Sequence, residues 1–308
     1  MLAPRSYLKS RVTDFVARGK WKARQMSDIS AFQFETLRVS NPVDHVLHVE
    51  INRPGKRNAM NPQFFKDMQA CFKKITDDPH SRCIVLSGSG KHFTSGLDIM
   101  EFMPMLMTES DEDVGRRSFQ LRRLISELQE SFTVIEKCPK PVIAAMHSAC
   151  IGGGVDLACS CDMRLCTYDS WFEIKEIDLA LAADIGTLQR LPKIIGNHSL
   201  VRELAYTARK LFSDEALTAG FVSRVYNDKK TMIHRAVELA VEISSKSPVA
   251  IGATKLQLNY ARDHTVDEGL DYICSWNMGL LQSKDLLIAG QSSLQKQTPK
   301  FEDMKSKL

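Results

Sequence analysis

The stretch FEIKEIDLALAADIGTLQRLP sets Glu176, Asp178 and Asp184 in a run rich in Ile, Leu and Ala. A carboxylate is costly to desolvate unless it is paired, hydrogen-bonded or protonated. Acids kept in greasy surroundings can therefore serve as proton donors and acceptors near neutrality. A fourth acid, Asp156, follows three glycines in CIGGGVDLA. Glycines between a strand and a helix let a ligand approach the backbone, and the new helix offers unpaired N–H groups of positive partial charge. That arrangement attracts an anion, or an oxygen on which negative charge develops. A lone GGG is an ordinary tight turn; here a second loop, KHFTSGLDI, accompanies it. Its Gly96 permits a sharp bend that leaves the Leu97 N–H free to face a ligand.

Two convergent amides can hold the oxygen of a thioester while a base removes the neighbouring proton, and an enolate oxyanion results. Buried carboxylates supply the base and the acid that returns the proton. SGSGK, by contrast, fails as a phosphate loop, since Val85 stands where Gly is required and His92 where Ser or Thr is. His92 and His147 flank the two loops and read as structural histidines, and Asp178 reads as a structural acid.

The elements that must carry these residues follow from the pattern. HVLHVEINRP alternates and ends at Pro, which predicts a strand at about 46–52. NPQFFKDMQACFKKITDDP opens on Asn-Pro and stops at Asp-Asp-Pro, a helix signature, and RCIVLSGSG is a buried strand. Together they form a β-α-β unit and imply a parallel sheet. An amphipathic helix over 116–137, a buried strand PVIAAMH, a helix opened by GGGVDLACSCD and short strands MRLCTY and WFEI follow. Beyond about 185 the pattern is mostly helical, up to a long segment at 265–293. The fold class is α/β, with the glycine loops at strand carboxyl ends, where sites form in such sheets.

The 308 residues carry a formal net charge of +4, unevenly spread. Seven bases and one acid lie in residues 1–26; the remainder holds 34 of the 41 bases and 36 of the 37 acids. A slightly acidic body argues against nucleic-acid binding. No apolar run reaches the roughly 18 residues of a membrane span. The basic, Ser/Thr-bearing N-terminus resembles a mitochondrial presequence, and the chain ends in Ser306, Lys307 and Leu308, the tripeptide read by the peroxisomal import receptor. Dual targeting to mitochondrion and peroxisome reconciles the two. Eight cysteines fit an intracellular protein with free thiols. Cys150, Cys159, Cys161 and Cys166 lack metal-site spacing and read as packing residues, so no metal is expected.

HFTSGLDI, IGGGVDLACSCDMRL and FEIKEIDLALAADIGTLQRLPKIIG together resemble the crotonase (enoyl-CoA hydratase/isomerase) superfamily, over roughly residues 35–295. The resemblance implies a crotonase-like spiral of ββα turns over 31–230 and a helical C-terminal region over 231–295 used in trimerisation. Around them lie a targeting segment at 1–30 and a tail at 296–308. It implies an acyl-CoA substrate, with CoA as part of that substrate rather than a cofactor, and a homotrimer or homohexamer. The thioester carbonyl would sit between the N–H groups of Leu97 and Gly153, and Ser95, Gly96, Leu97, Asp98 and Ile99 would line the pocket, with the Asp98 side chain holding the loop.

Within the superfamily, hydratases usually have Glu at the position of Asp156, and hydratases and simple enoyl-CoA isomerases tend to be Gly-rich where this chain has Asp184. Carboxylates at all three of Asp156, Glu176 and Asp184 match the dienoyl-CoA isomerase branch. Its reaction moves a proton from carbon 2 to carbon 6 of a 3,5-dienoyl-CoA, a step of β-oxidation of unsaturated fatty acids. The resemblance assigns Glu176 to carbon 2 and Asp184 to carbon 6; Asp156 either tunes and holds these acids or contacts a helix start. Alternatives are a Δ3-Δ2-enoyl-CoA isomerase, a hydratase or, more remotely, a non-enzymatic RNA-binding protein of this fold.

Overall fold

The computed structural model describes residues 27–106 and 113–304. Six strands form the main sheet: β1 (Leu37–Val43), β2 (Val46–Ile51), β3 (Cys83–Gly88), β4 (Val142–Met146), β6 (Met163–Thr167) and β9 (Arg224–Tyr226), in the order β1-β2-β3-β4-β6-β9. Only β1 and β2 are antiparallel; the rest run parallel, with Val49 opposite Leu86 and Leu86 opposite Ala144. A second sheet joins β5 (Ala149–Ile151), β7 (Trp171–Glu173) and β8 (Leu211–Phe212). The mixed α/β class and the β2-helix-β3 unit expected from the sequence are present.

Eleven described helices complete the fold. The first four are α1 (Pro62–Asp77), α2 (Ile99–Leu106), α3 (Val114–Lys137) and α4 (Gly153–Ser160). They are followed by α5 (Thr187–Ile194), α6 (His198–Thr207), α7 (Ser213–Thr218) and α8 (Lys229–Ser244), then α9 (Pro248–Ala261), α10 (Val266–Leu280) and α11 (Lys284–Leu294). Asn61 starts α1 by accepting the Phe64 N–H at 3.0 Å, the cap that the Asn-Pro signature promised. The region past 185 is largely helical, as read, but β8 and β9 interrupt it. Each has two or three residues, too few for alternation to register.

Strand β3 is buried along its whole length because both faces of the sheet are covered. Ile84 and Leu86 pack into the large cluster with Phe64, Phe72 and Phe132 from α1 and α3. Cys83 and Val85 face the other way, against Met232, Ala236 and Ala240 of α8. The core thus runs across residue 230, the line drawn between spiral and C-terminal region. Among the residues read as a targeting segment, Ser27 is buried, donates to Asp78 and accepts the Asn41 side chain at 2.8 Å. From the tail, Asp303 pairs with Arg82 and, at 3.1 Å, with His80. Residues 1–26 and the terminal Ser306-Lys307-Leu308 lie outside the described residues. No described helix is long and apolar enough to cross a membrane. All four clustered cysteines are buried.

Candidate active site

Backbone pairing builds the first loop. After β3 the chain runs back beside β5, where the Thr94 N–H donates to Ala149 at 3.1 Å and Ile151 donates to Thr94 at 3.3 Å. On its other side the Met60 N–H donates to Gly96 (2.8 Å) and the Asp98 N–H to Met60 (2.9 Å). Neighbouring residues of an extended segment point in opposite directions, so the Leu97 N–H faces away from Met60. It has no acceptor among the described residues. Gly96 adopts a φ of 83°, and a Cβ there would lie 2.7 Å from the Ile151 carbonyl oxygen. The loop therefore rests directly on the approach to the second glycine segment.

That segment turns at Gly152, with φ 51° and ψ −119°, its N–H donating to Glu173 at 2.8 Å. Gly153 is the first residue of α4, and its N–H has no acceptor among the described residues, as expected of a helix start. A Cβ on Gly154 would collide with the Thr94 methyl. The glycines let two loops touch, and the Leu97 and Gly153 amides are among those the loops leave without an acceptor among the described residues. The sequence reading named both amides.

Glu176 and Asp156 lie against and within the second glycine segment, and the charge of Asp184 acts on both. Glu176 opens a 3-10 turn after β7, and its Oε1 lies 3.1 Å from where a Gly152 Cβ would be. Its Oε2 is buried without a partner among the described residues. Burial first, then the charges of Asp156 and Asp184, push its pKa up to about 7. The adjacent Lys175 does not neutralise it, because that ammonium bridges Glu173 (2.8 Å) and Asp178 (2.6 Å). Asp178 is accordingly an exposed ion-pair partner.

Asp156, on α4, is 1% exposed. One oxygen accepts the Thr187 N–H at 2.6 Å and the other has no partner among the described residues. Burial raises its pKa to about 6, against the lowering effect of the Thr187 bond and with a smaller upward push from Asp184. The two readings left open for Asp156 are thus compatible: it contacts the start of α5 and belongs to the acid group. Asp184 precedes α5 and departs from the expectation of a buried acid. It is exposed at the rim, although the remaining desolvation still raises its pKa.

The Asp98 carboxylate accepts Arg53 at 3.0 Å and is thereby committed to the loop. Ser95 is half-buried, its N–H donating to Arg57, and Ile99 is exposed where α2 begins. His92 contacts the Ser148 hydroxyl at 2.9 Å and His147 the Gly90 carbonyl at 3.0 Å. Burial pushes His147 down to about 4, so it stays neutral, and neither ring touches the three acids.

Sequence reasoning missed Asn58 and Met60. Asn58 sits at φ 56° and is fully buried, its amide donating to Ser89 (2.8 Å) and His92 (2.9 Å) while its oxygen accepts the Arg53 N–H. Asn is one of the few residues that tolerate this left-handed conformation, which was the available signal in KRNAM. Gln129 and Arg190, which hold the Asp184 loop from the side, were missed as well.

The enoyl-CoA hydratase/isomerase family model matches residues 43–304. A mitochondrial Delta(3,5)-Delta(2,4)-dienoyl-CoA isomerase of Mus musculus is 53% identical over 277 residues, 90% of this chain and 85% of that one. The peroxisomal isomerase of the same name from Arabidopsis thaliana is 43% identical, covering 87% of this chain and 97% of that one. Among solved structures, an enoyl-CoA hydratase from Bacillus anthracis superposes with a TM-score of 0.79 at 26% identity, over 87% of this chain and 99% of that one.

Proposed function

The chain belongs to the enoyl-CoA hydratase/isomerase family, and we infer that it is an isomerase of unsaturated fatty-acid oxidation that converts 3,5-dienoyl-CoA to 2,4-dienoyl-CoA. One observation supports this choice within the family. Glu176, with no cation to pair it among the described residues, abuts the loop of a free amide and lies under the influence of two further acids. A proton relay between distant carbons needs more than one such group.

The thioester oxygen is held by the Leu97 and Gly153 amides, and Ser95, Gly96, Asp98 and Ile99 shape the entry. Glu176, with a pKa near the working pH, takes a proton from carbon 2. The electron pair of the broken C–H bond spreads into an extended dienolate whose oxygen the two amides stabilise, each worth roughly 3 kcal/mol. Asp184, whose pKa partial burial raises from the ordinary carboxylate value, is placed to deliver a proton to carbon 6. Asp156 fixes the start of α5 and keeps the Asp184 loop beside the chain. A proton moves and no electrons are lost, so the reaction needs no cofactor beyond the substrate's own CoA.

Incubation with 3,5-dienoyl-CoA should produce the ultraviolet absorbance of a conjugated 2,4-dienoyl thioester. A protein that instead hydrates 2-enoyl-CoA or shifts only 3-enoyl-CoA would refute this reading, and RNA retention without turnover would support the binding alternative.

The relatives' names place them in mitochondria or peroxisomes, and this chain is organellar. Residues 1–30 and Ser306-Lys307-Leu308 would divide it between the two through separate import receptors. Masking either end of the chain in cells should empty one compartment only. A trimer or hexamer is supported by the apolar side chains that α10 and α11 leave exposed, including Leu270, Met278 and Leu287. Light scattering on the purified protein tests this.

A further inference from the structure

The loop that carries Asp184 is tied to the molecule by side chains at three of its backbone groups. The Asp184 carbonyl accepts Gln129 Nε2 of α3 at 2.7 Å, the Ile185 carbonyl accepts Arg190 Nη1 of α5 at 3.4 Å, and the Thr187 N–H donates to Asp156. Arg190 is the central tie. Its Nε donates to Glu136 at 3.0 Å and its Nη2 to Thr133 at 3.1 Å, so one planar fork spans the loop and α3. The guanidinium lies against Gly186, at φ 139°, where any Cβ would collide with Nη1.

Glu136 is secured in turn by Arg262, just beyond α9, and its carbonyl accepts Asn259 at 3.0 Å. Arg262 pairs with Asp263 (3.0 Å), and Asp263 pairs with Lys193, back on α5. The Arg190 and Glu136 side chains are only 11% and 13% exposed, so solvent screens this ring of charges little at its centre.

We propose that Arg190, supported by Glu136 and assisted by Gln129, is a positioning residue that aligns Asp184 with the far end of the substrate. It touches neither Glu176 nor the amide loops, so its loss separates the two proton transfers. The inference rests on the assignment of Asp184 to carbon 6.

The test uses the full-length enzyme with 3,5-dienoyl-CoA in D2O, following product by absorbance and carbon 2 exchange by NMR. Arg190→Met should lower kcat about 100-fold with KM within about twofold, since small misplacements of a reacting group cost about that much. Carbon 2 exchange should stay within about threefold of the parent. Arg190→Lys should recover little, because an ammonium cannot span Ile185, Glu136 and Thr133 together. Gln129→Ala, at an exposed side chain, should give the same split at about fivefold and decides the matter if Arg190→Met does not fold. Loss of kcat and exchange in parallel, or no change in either, overturns the proposal. A parent enzyme that neither isomerises nor exchanges overturns instead the reaction on which it rests.

Discussion

The two ends of the proposed site are built by different means. At the carbonyl end, Leu97 and Gly153 are set by main-chain pairing on both sides of their loops, and glycines allow contacts that any Cβ would spoil. At the far end, Asp184 is exposed on a loop whose ties are the side chains of Gln129, Arg190 and Asp156. A developing oxyanion needs donors that do not reorganise, and main-chain amides within a packed core meet that need. A proton carrier at a distant carbon must reach the end of an extended substrate, and a loop at the rim suits that task. Glu176 abuts Gly152, half-buried and without a cation beside it among the described residues.

Breaking Glu176 should have the largest effect. Glu176→Gln should lower kcat about 10⁴-fold and abolish carbon 2 exchange, the upper range for loss of a general base. The same change should stabilise the protein. The folded-state pKa of about 7 exceeds the ordinary 4.5, so folding takes up a proton between these values. The parent's stability from this group is full below about pH 4.5 and is lost as pH rises through 7. Glu176→Gln should therefore be more stable than the parent by about 3 kcal/mol at pH 8 and no more stable at pH 4, as chemical denaturation would show.

Gly96→Ala strikes the carbonyl end. It forces a side chain onto the Ile151 carbonyl at a positive φ and should cost about 1–3 kcal/mol of stability. By displacing the Leu97 amide it should also lower kcat/KM a few hundredfold. Asp184→Asn strikes the far end and should lower kcat about 100-fold while retaining carbon 2 exchange. Because that side chain is exposed, the melting temperature should barely move. A Gly96→Ala enzyme with normal stability, or a strongly destabilised Asp184→Asn, would erase the contrast between the ends. The pH profile is the mildest probe: kcat/KM should fall about tenfold per unit below pH 7, as Glu176 becomes protonated.

This division also explains what the sequence could tell. The free amides were legible because glycine marks backbone that must bend, and strand-glycine-helix order puts such amides at strand ends. Acids among aliphatics were visible for the same reason, since composition alone makes them anomalous. Strands were legible where both faces are buried, as in β3 of the main sheet, and illegible in the two-residue β8 of the second sheet. The exposure of Asp184 could not be read, because apolar neighbours in sequence such as Leu179 and Leu181 are themselves exposed here. Nor could the ties of its loop: Gln129 lies 55 residues from Asp184, and Arg262 lies 126 from Glu136. Such contacts depend on how helices pack, and no local pattern encodes them.

The account turns on one geometry, and a structure with a non-reactive dienoyl-CoA analogue measures it. The thioester oxygen should lie about 3 Å from both the Leu97 and Gly153 nitrogens, with Glu176 beside carbon 2 and Asp184 beside carbon 6. An analogue whose oxygen meets neither amide, or whose carbon 6 lies away from Asp184, would contradict it.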